Sequence, residues 1–529
     1  MMKHYIKIFG FILAGSLLIQ GCTKDYPEIN TDPLSSSQAS FNPNYLLTTS
    51  ELTYTGSTDF SYETWRANLI YASTMIQGLS TVVSYWAGDK YLLNQGYTGA
   101  YWEKAYPDQV KSVVDLVQFT KDKTQYKNLY QIARIMKALI FERITDLYGD
   151  VPYSEAGLGY YSNNYFPKYD KQQDIYNDLL KEVEEATNAL DPAADKPSGD
   201  VIYNGDIAKW QRFGNSLLLR IGMRLVKVDA AKAQATATKV QGKTFTSNAD
   251  NALLKHDATG GRTTINRNSQ VLIGDGGQEH YYVKWSKTFI DMLKTNTDPR
   301  LGRIAVTKLY TDPNSKIQST SFITTPAVQK GMPNGKDLSG IAGRDISSDP
   351  SYTTFPDYSS PNPGMIKRDG PTFILTYAET ELLLADAAQR FGITTSGSAA
   401  QHYNNGVKAA ITYLGQYDAT LAIPDAEADA YIATHPYVAA TGLQMINTQY
   451  WIHTNTMFDF YESWSNWRRT GFPVLVPVNY PNNVTNGTIP RRFLYPSFEA
   501  NTNPVNYKAA QEGIPGGDLL TSRVWWDKQ

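Results

Sequence analysis

The chain has 529 residues, with 49 Lys and Arg against 51 Asp and Glu for a net charge of −2, so no overall field favours nucleic acid or an anionic lipid surface. A single cysteine excludes a disulfide framework and a cysteine-based zinc cluster. Hydrophobic residues make up 42 % and mean hydropathy is −0.40, as in a water-soluble globular body, while 37 Tyr, 19 Phe and 10 Trp are more rings than a core usually needs.

Lys3 and Lys7 precede Ile8 to Ile19, which is apolar apart from Gly10, Gly15 and Ser16. That is the layout of a signal peptide, and it is shorter than the roughly 18 to 20 residues a helix needs to cross a bilayer. Ile19-Gln20-Gly21-Cys22 resembles the bacterial lipobox, in which the peptide is cut before a cysteine that then receives acyl chains. The expectation is a peptide over 1–21, lipidation at Cys22, a Pro-, Asn-, Ser- and Thr-rich tether over 22–45, and one large body over 46–529. Each acyl methylene contributes about 0.8 kcal/mol to membrane binding, so lipid would replace a transmembrane span. An ordinary secreted protein with one buried thiol, or an amino-terminal anchor, is the alternative.

Helical periodicity dominates the body. Leu129, Ile132, Met136, Leu139 and Ile140 recur at three- and four-residue spacing, and Gly149 with Pro152 ends that helix. Asp170 is placed to cap the next, whose stripe is Ile175, Leu179, Val183, Ala186 and Leu190 before Asp191-Pro192. Asp206 opens a third, with Trp210, Phe213, Leu217, Ile221 and Leu225 in register. "PTFILTYAETELLLADAAQRFG" starts a helix at Pro371 that stops near Gly392, and Tyr403, Val407, Ala410 and Leu414 share a face in the next. Such pairs cannot bury their stripes alone, so the scaffold is expected to be a short stack of helix pairs over about 105–242 and 371–470. Residues 243–370 are rich in Gly, Asn, Asp, Ser, Thr and Pro, and only "WSKTFIDMLKTNTDPRLGRI" has helical spacing. This is a loop-rich insertion, and loops on a rigid scaffold are where binding residues concentrate.

Enzymatic motifs fail on residue type. There is no Gly-x-Ser-x-Gly, no His-Glu-x-x-His and no dinucleotide fingerprint, and Gly242-Lys243-Thr244 lacks the first P-loop glycine, replaced by Ala237. The six histidines show no i, i+4 pair, so neither a metal nor a cofactor is expected. Paired carboxylates of a glycosidase type are not excluded by spacing, but Asp146 and Asp150 flank a helix end, where capping and turns call for aspartate. A non-enzyme is the expectation, with a surface glycoside hydrolase as the lesser alternative.

Aromatic residues carry the remaining chemistry. Residues 80 to 106 set Tyr85, Trp86, Tyr97 and Trp102 among Gly88, Gly96 and Gly99, so several rings stand on turns. A ring face packs against the C–H side of a sugar while Asn, Asp and Lys bond its hydroxyls. His280-Tyr281-Tyr282 is a second cluster, and the ligand-binding candidates are therefore Tyr85, Trp86, Tyr97, Trp102, Tyr281 and Tyr282. In "FDFYESWSNWRR", by contrast, Phe458, Tyr461, Trp464 and Trp467 have the spacing of a buried helix face ending at Arg468 and Arg469.

"ITDLYGDVPYSEA" (144–156), "WQRFGNSLLLRIGMRL" (210–225), "DPRL" (298–301), "TYAETELLLADAA" (376–388), "YESWSNWRRTGFP" (461–473) and "IPRRFLYPSFEANTNPVNY" (489–507) together resemble the SusD/RagB family of Bacteroidetes outer-membrane lipoproteins. The resemblance implies a mainly α fold of tetratricopeptide-like helix pairs, lipid anchoring at the cell surface, and no catalysis. It further implies capture of an oligosaccharide, or alternatively an oligopeptide, for a SusC-type TonB-dependent transporter. Arg468 and Arg469 would be helix-end charge or a transporter contact. The family offers no fixed ligand residues, so the named rings rest on composition alone.

Overall fold

Apolar residues repeating every three to four positions dictate the scaffold of this computed structural model, which describes residues 41–529 apart from Phe60. The peptide, the lipobox and most of the tether lie outside the described residues. The body is a single unit, Asn44–Gln529. Its longer helices are α1 (Asn44–Tyr54), α2 (Lys111–Thr120), α3 (Lys127–Tyr148), α4 (Gln172–Ala189), α5 (Ile207–Arg224) and α6 (Ala230–Lys239). After α7 (Lys287–Thr295) in the insertion come α8 (Tyr377–Phe391), α9 (Ala399–Thr412), α10 (Asp425–Thr434), α11 (Gly442–Thr456), α12 (Phe460–Thr470) and α13 (Pro504–Glu512).

Consecutive helices pack side by side: α2 on α3, α3 on α4, α4 on α5, α5 on α6, then α8 on α9 and α11 on α12. Helix α5 also meets α8, which joins the two halves of the scaffold. The predicted stripes face inward, with Leu129, Ile132, Met136, Leu139 and Ile140 of α3 and Trp210, Phe213, Leu217 and Ile221 of α5 all fully buried. The fold is mainly α, a tetratricopeptide-like stack, and its strands are short.

Four antiparallel pairs hold the loops: β1 (Leu79–Ser80) with β5 (Lys284–Trp285), β2 (Val151–Pro152) with β3 (Tyr169–Asp170), β4 (Ala252–Lys255) with β8 (Pro371–Leu375), and β6 (Ala305–Val306) with β7 (Ser360–Pro361). "PTFIL" is therefore a strand, because Pro371, Thr372, Phe373 and Leu375 pair with β4 before Thr376 opens α8 with a capping box to Glu379. Gly149 (φ +86°) and Gly392 (φ +68°) stop α3 and α8 as expected.

Two capping assignments change. Asp170 accepts from the Tyr153 and Ser154 backbone amides instead of capping α4. The α4 amino end is served by Asp150, which accepts from Gln172 N at 2.8 Å. Asp146 is not a turn residue: it lies buried inside α3 and accepts from Trp526 Nε1 (2.8 Å) and Tyr176 Oη.

The scaffold interior is charged as well as apolar. Arg220 forks onto Glu142 with bonds of 3.1 and 2.6 Å, and Arg224 reaches Glu462 at 2.6 Å and Asp146 at 3.2 Å, every partner buried. Arg468 and Arg469, each 1 % exposed, belong to the same interior. Arg468 donates to the Arg491 carbonyl and Arg469 pairs with Asp386 at 3.0 Å, so neither is free to touch a transporter.

Candidate ligand-binding site

A cleft of about 710 Å³ opens where the insertion meets the amino-terminal loop. Its walls come from four loops, which supply Tyr85, Gln278 and Tyr282, Asp337 and Arg344, and Tyr480. The volume lies within the ordinary range for a small-ligand pocket.

The pairing of β1 with β5 brings the first two loops together, since Leu79 lies opposite Trp285 and Ser80 opposite Lys284. Beyond β1 the chain turns with Tyr85 outward, 37 % exposed, and Trp86 inward, fully buried. Lys90 staples this turn from within, donating to the Trp86 carbonyl at 3.1 Å and lying 3.3 Å from Asp89. Gly88 lets the loop press on the π-helical segment Thr64–Ser73, where a Cβ would stand 2.4 Å from the Ile70 carbonyl. Tyr85 Oη donates to Glu279, which ties the two loops across the cleft wall.

The far wall is an ion pair under a ring. Asp337 accepts from Tyr480 Oη at 2.7 Å and is ion-paired with Arg344, whose Nε lies 2.7 Å away and whose Cζ lies 5.4 Å from the Tyr480 ring. Burial alone would raise the Asp337 carboxyl, but hydrogen bonds from Ser339 and Tyr480 and the Arg344 charge hold it down at about 2. Burial and the same carboxylate push the Tyr480 phenol up to about 12. Near neutral pH the wall is thus a fixed anion, a fixed cation and a neutral phenol, able to accept from and donate to hydroxyls while the rings supply apolar faces.

Of the six predicted rings the cleft gathers two, Tyr85 and Tyr282. Tyr282 is half-buried and leans edge-on against Phe355 at 4.9 Å. Tyr281 is mostly buried among Val306, Tyr310 and Met332. Trp86 is a correction: its indole has no exposed face and acts as the anchor of the loop that presents Tyr85. Trp102 is a second correction for this cleft: it is 3 % exposed, stacks on Tyr169 (5.7 Å, 29°) with Tyr148 edge-on at 5.3 Å, and lines a separate cleft beside Glu103 and Tyr106. Tyr97 is half-buried beside Arg66 and does not line the cleft. Tyr480 and Arg344 were missed, although Tyr480 stands in "VPVNYPNN", the same kind of turn-borne ring among proline and asparagine.

Among the described residues one group could in principle hold a cation, Glu142, Asp146 and Glu462. Arg220 and Arg224 already neutralise it, so it is not a metal centre by its chemistry. Among the described residues no helix is long and apolar enough to cross a membrane.

The family model described as SusD-like, "Starch-binding associating with outer membrane", matches residues 42–496. A solved chitin-binding protein is 34 % identical with a TM-score of 0.79, the match covering 92 % of this chain and 100 % of that one. A Bacteroidetes SusD-like protein is 26 % identical with the same TM-score and the same two coverages. A chitin-binding SusD homolog from Flavobacterium johnsoniae is 22 % identical with a TM-score of 0.73, covering 92 % of this chain and 98 % of that one, a likeness of fold alone. No curated protein sequence matches. A family model that accounts for most of the body, and a relative alignable along its whole length at 34 % identity, make this chain a member of the SusD-like family.

Proposed function

We propose that the protein is a non-catalytic glycan receptor, held at the outer face of the outer membrane by lipid on Cys22, that hands its cargo to a SusC-type TonB-dependent transporter. The cargo we favour is a chitin-type chain of N-acetylglucosamine, supported by the chitin-binding relative at 34 % identity. The observation that carries the binding role is the cleft itself, where Tyr85, Tyr282 and Tyr480 from three separate loops line one space with the Asp337 and Arg344 pair. Tyrosine faces take the C–H side of a pyranose, and the fixed charges bond its hydroxyls. An ionised Asp337, held by Tyr480, Ser339 and Arg344, accepts from sugar hydroxyls and does not serve as the proton-donating acid that glycoside hydrolysis needs.

Isothermal titration of the purified chain with the N-acetylglucosamine hexamer and with maltohexaose tests this. Heat from the first, with the sugar recovered intact after overnight incubation, is the expected result. Heat from the second alone would move the substrate class to starch, and heat only from a peptide pool would reassign the cargo. Silence across all three, or recovery of shorter sugars, overturns the proposal.

A further inference from the structure

We propose that the cleft is one end of a longer glycan track, which runs over Trp65, Arg66 and Tyr62 to a second cleft at Glu103, so that one long saccharide chain is gripped at two stations. The inference rests on the glycan-receptor role above and adds the length of chain that the surface selects.

The track is continuous side chain to side chain. Tyr85, in the main cleft, meets Trp65 edge-on at 6.1 Å. Arg66 Cζ lies 5.5 Å from the Trp65 ring and 3.8 Å over the Tyr62 ring. Tyr62 Oη then donates to Glu103 Oε2 at 2.7 Å, and Glu103 lines the second cleft. Tyr62, Trp65, Arg66 and Glu103 are all half-buried, so each keeps part of its surface toward solvent. An arginine plane between two rings extends the apolar platform without a break.

The second cleft, about 360 Å³, repeats the chemistry of the first. Tyr106, Tyr165, Phe498 and the nearly buried Trp102 give the rings, and Glu103, Glu499 and Asn503 give the polar groups. Tyr165 is 68 % exposed although its loop is fastened at several points. Asn164 Nδ2 and Lys168 N both donate to Glu155 Oε2, at 2.9 and 3.0 Å, and Asn503 Nδ2 donates to the Pro167 carbonyl at 2.7 Å. The Tyr165 ring lies on bare backbone at Gly159, where a Cβ would stand 3.1 Å from it. Holding a large ring in water on a pinned loop gains nothing from burial, which is how a preorganised ligand platform differs from a misplaced core residue. The half-buried Glu103 carboxylate, with the nearly buried Glu499 and Asn503 behind the opening, offers acceptors to neutral hydroxyls and disfavours a polyanionic chain.

The test compares sugar lengths. Isothermal titration of the full chain with the N-acetylglucosamine dimer and hexamer should show tighter binding of the hexamer. Tyr165→Ala and Tyr62→Ala should each weaken the hexamer about tenfold and leave the dimer unchanged. Tyr62→Phe, which keeps the ring, should retain most hexamer binding, and Tyr85→Ala should weaken both sugars. Unchanged thermal melts will show that these positions act on binding and not on folding. Equal affinity for dimer and hexamer, or hexamer binding untouched by both alanine variants as it would be if a protein partner used these rings, overturns the track alone. No binding of either sugar to the unmodified chain overturns the glycan role and the track together.

Discussion

A single peptide bond separates Tyr85, 37 % exposed in the cleft wall, from Trp86, which has no exposed surface. Replacing each by alanine should give opposite results. Tyr85→Ala removes a ring that faces solvent and should weaken glycan binding about tenfold with little change in the urea midpoint. Trp86→Ala leaves a cavity beneath the loop and should lower stability by about 3–5 kcal/mol in urea unfolding. Both tryptophan candidates and their tyrosine neighbours look alike in sequence, since turn-borne rings and glycines frame each of them. What separates them is which side of the turn faces the scaffold, and that depends on Gly88 meeting the Ile70 carbonyl, a contact between segments with no shared sequence period. On β5, Lys284 is buried with its ammonium donating to Ser360 Oγ at 2.8 Å, and burial lowers its titration from 10.5 to about 7. The sign follows from proton counting: between about 7 and 10.5 the unfolded chain carries the proton and the folded one does not, so stability rises with pH there. Below about 7 the folded state holds a buried charge. Lys284→Met should therefore raise the melting temperature most near pH 6, by on the order of 4 kcal/mol in stability, and the gain should shrink steadily toward pH 10.

At the scale of helices, periodicity was an adequate guide wherever packing is apolar, and it failed where a helix face carries buried charge. The α3 and α5 stripes lie where their spacing puts them, and Phe458, Tyr461, Trp464 and Trp467 form the buried face expected of α12. Asp146, Arg468 and Arg469 gave no such signal, because an aspartate near a helix end and an arginine pair after a tryptophan are ordinarily solvated. Their burial depends on partners from other elements, Arg224 on α5, Asp386 on α8 and the Arg491 carbonyl in the carboxy-terminal loop. A partner on another element likewise explains Asp150, whose link to Gln172 N fastens the start of α4 to the end of α3. The ionic layer has a measurable consequence. Burial raises the Glu462 carboxyl, yet the charges of Arg224 and Arg220 outweigh that and hold it below its ordinary value. Arg224→Met leaves Glu462 and Asp146 without their nearest cation and should lower stability by about 3–5 kcal/mol. Adding Asp146→Asn to that variant removes one orphaned charge and should restore part of the loss, whereas a purely steric role for Arg224 would leave the double variant no better than the single. Guanidinium unfolding of the three proteins distinguishes these cases.

For the whole molecule, a helical scaffold and a loop-borne cleft do separate work, and the sequence announced them unequally. Helix pairs repeat a local pattern and so declare themselves. The cleft draws on Tyr85, Gln278, Asp337 and Tyr480, whose separation along the chain hides their meeting from any window of sequence. The remaining part of the proposed design is the lipid on Cys22, which lies outside the described residues and is argued from Ile19-Gln20-Gly21-Cys22 and the apolar run before it. Anchoring and binding should then be separable, because the body Asn44–Gln529 is a unit of its own and supplies the described lining of the cleft, from Val82 to Tyr480. Cys22→Ser should abolish incorporation of labelled palmitate and release the chain from the membrane fraction, since a single serine side chain supplies none of the roughly 0.8 kcal/mol per methylene that acyl chains provide. The released protein should bind the N-acetylglucosamine hexamer with unchanged affinity in titration while cells carrying it lose uptake of that sugar. Palmitate incorporation that survives the substitution would place the lipid elsewhere, and a parallel loss of sugar affinity would show that the tether shapes the cleft after all.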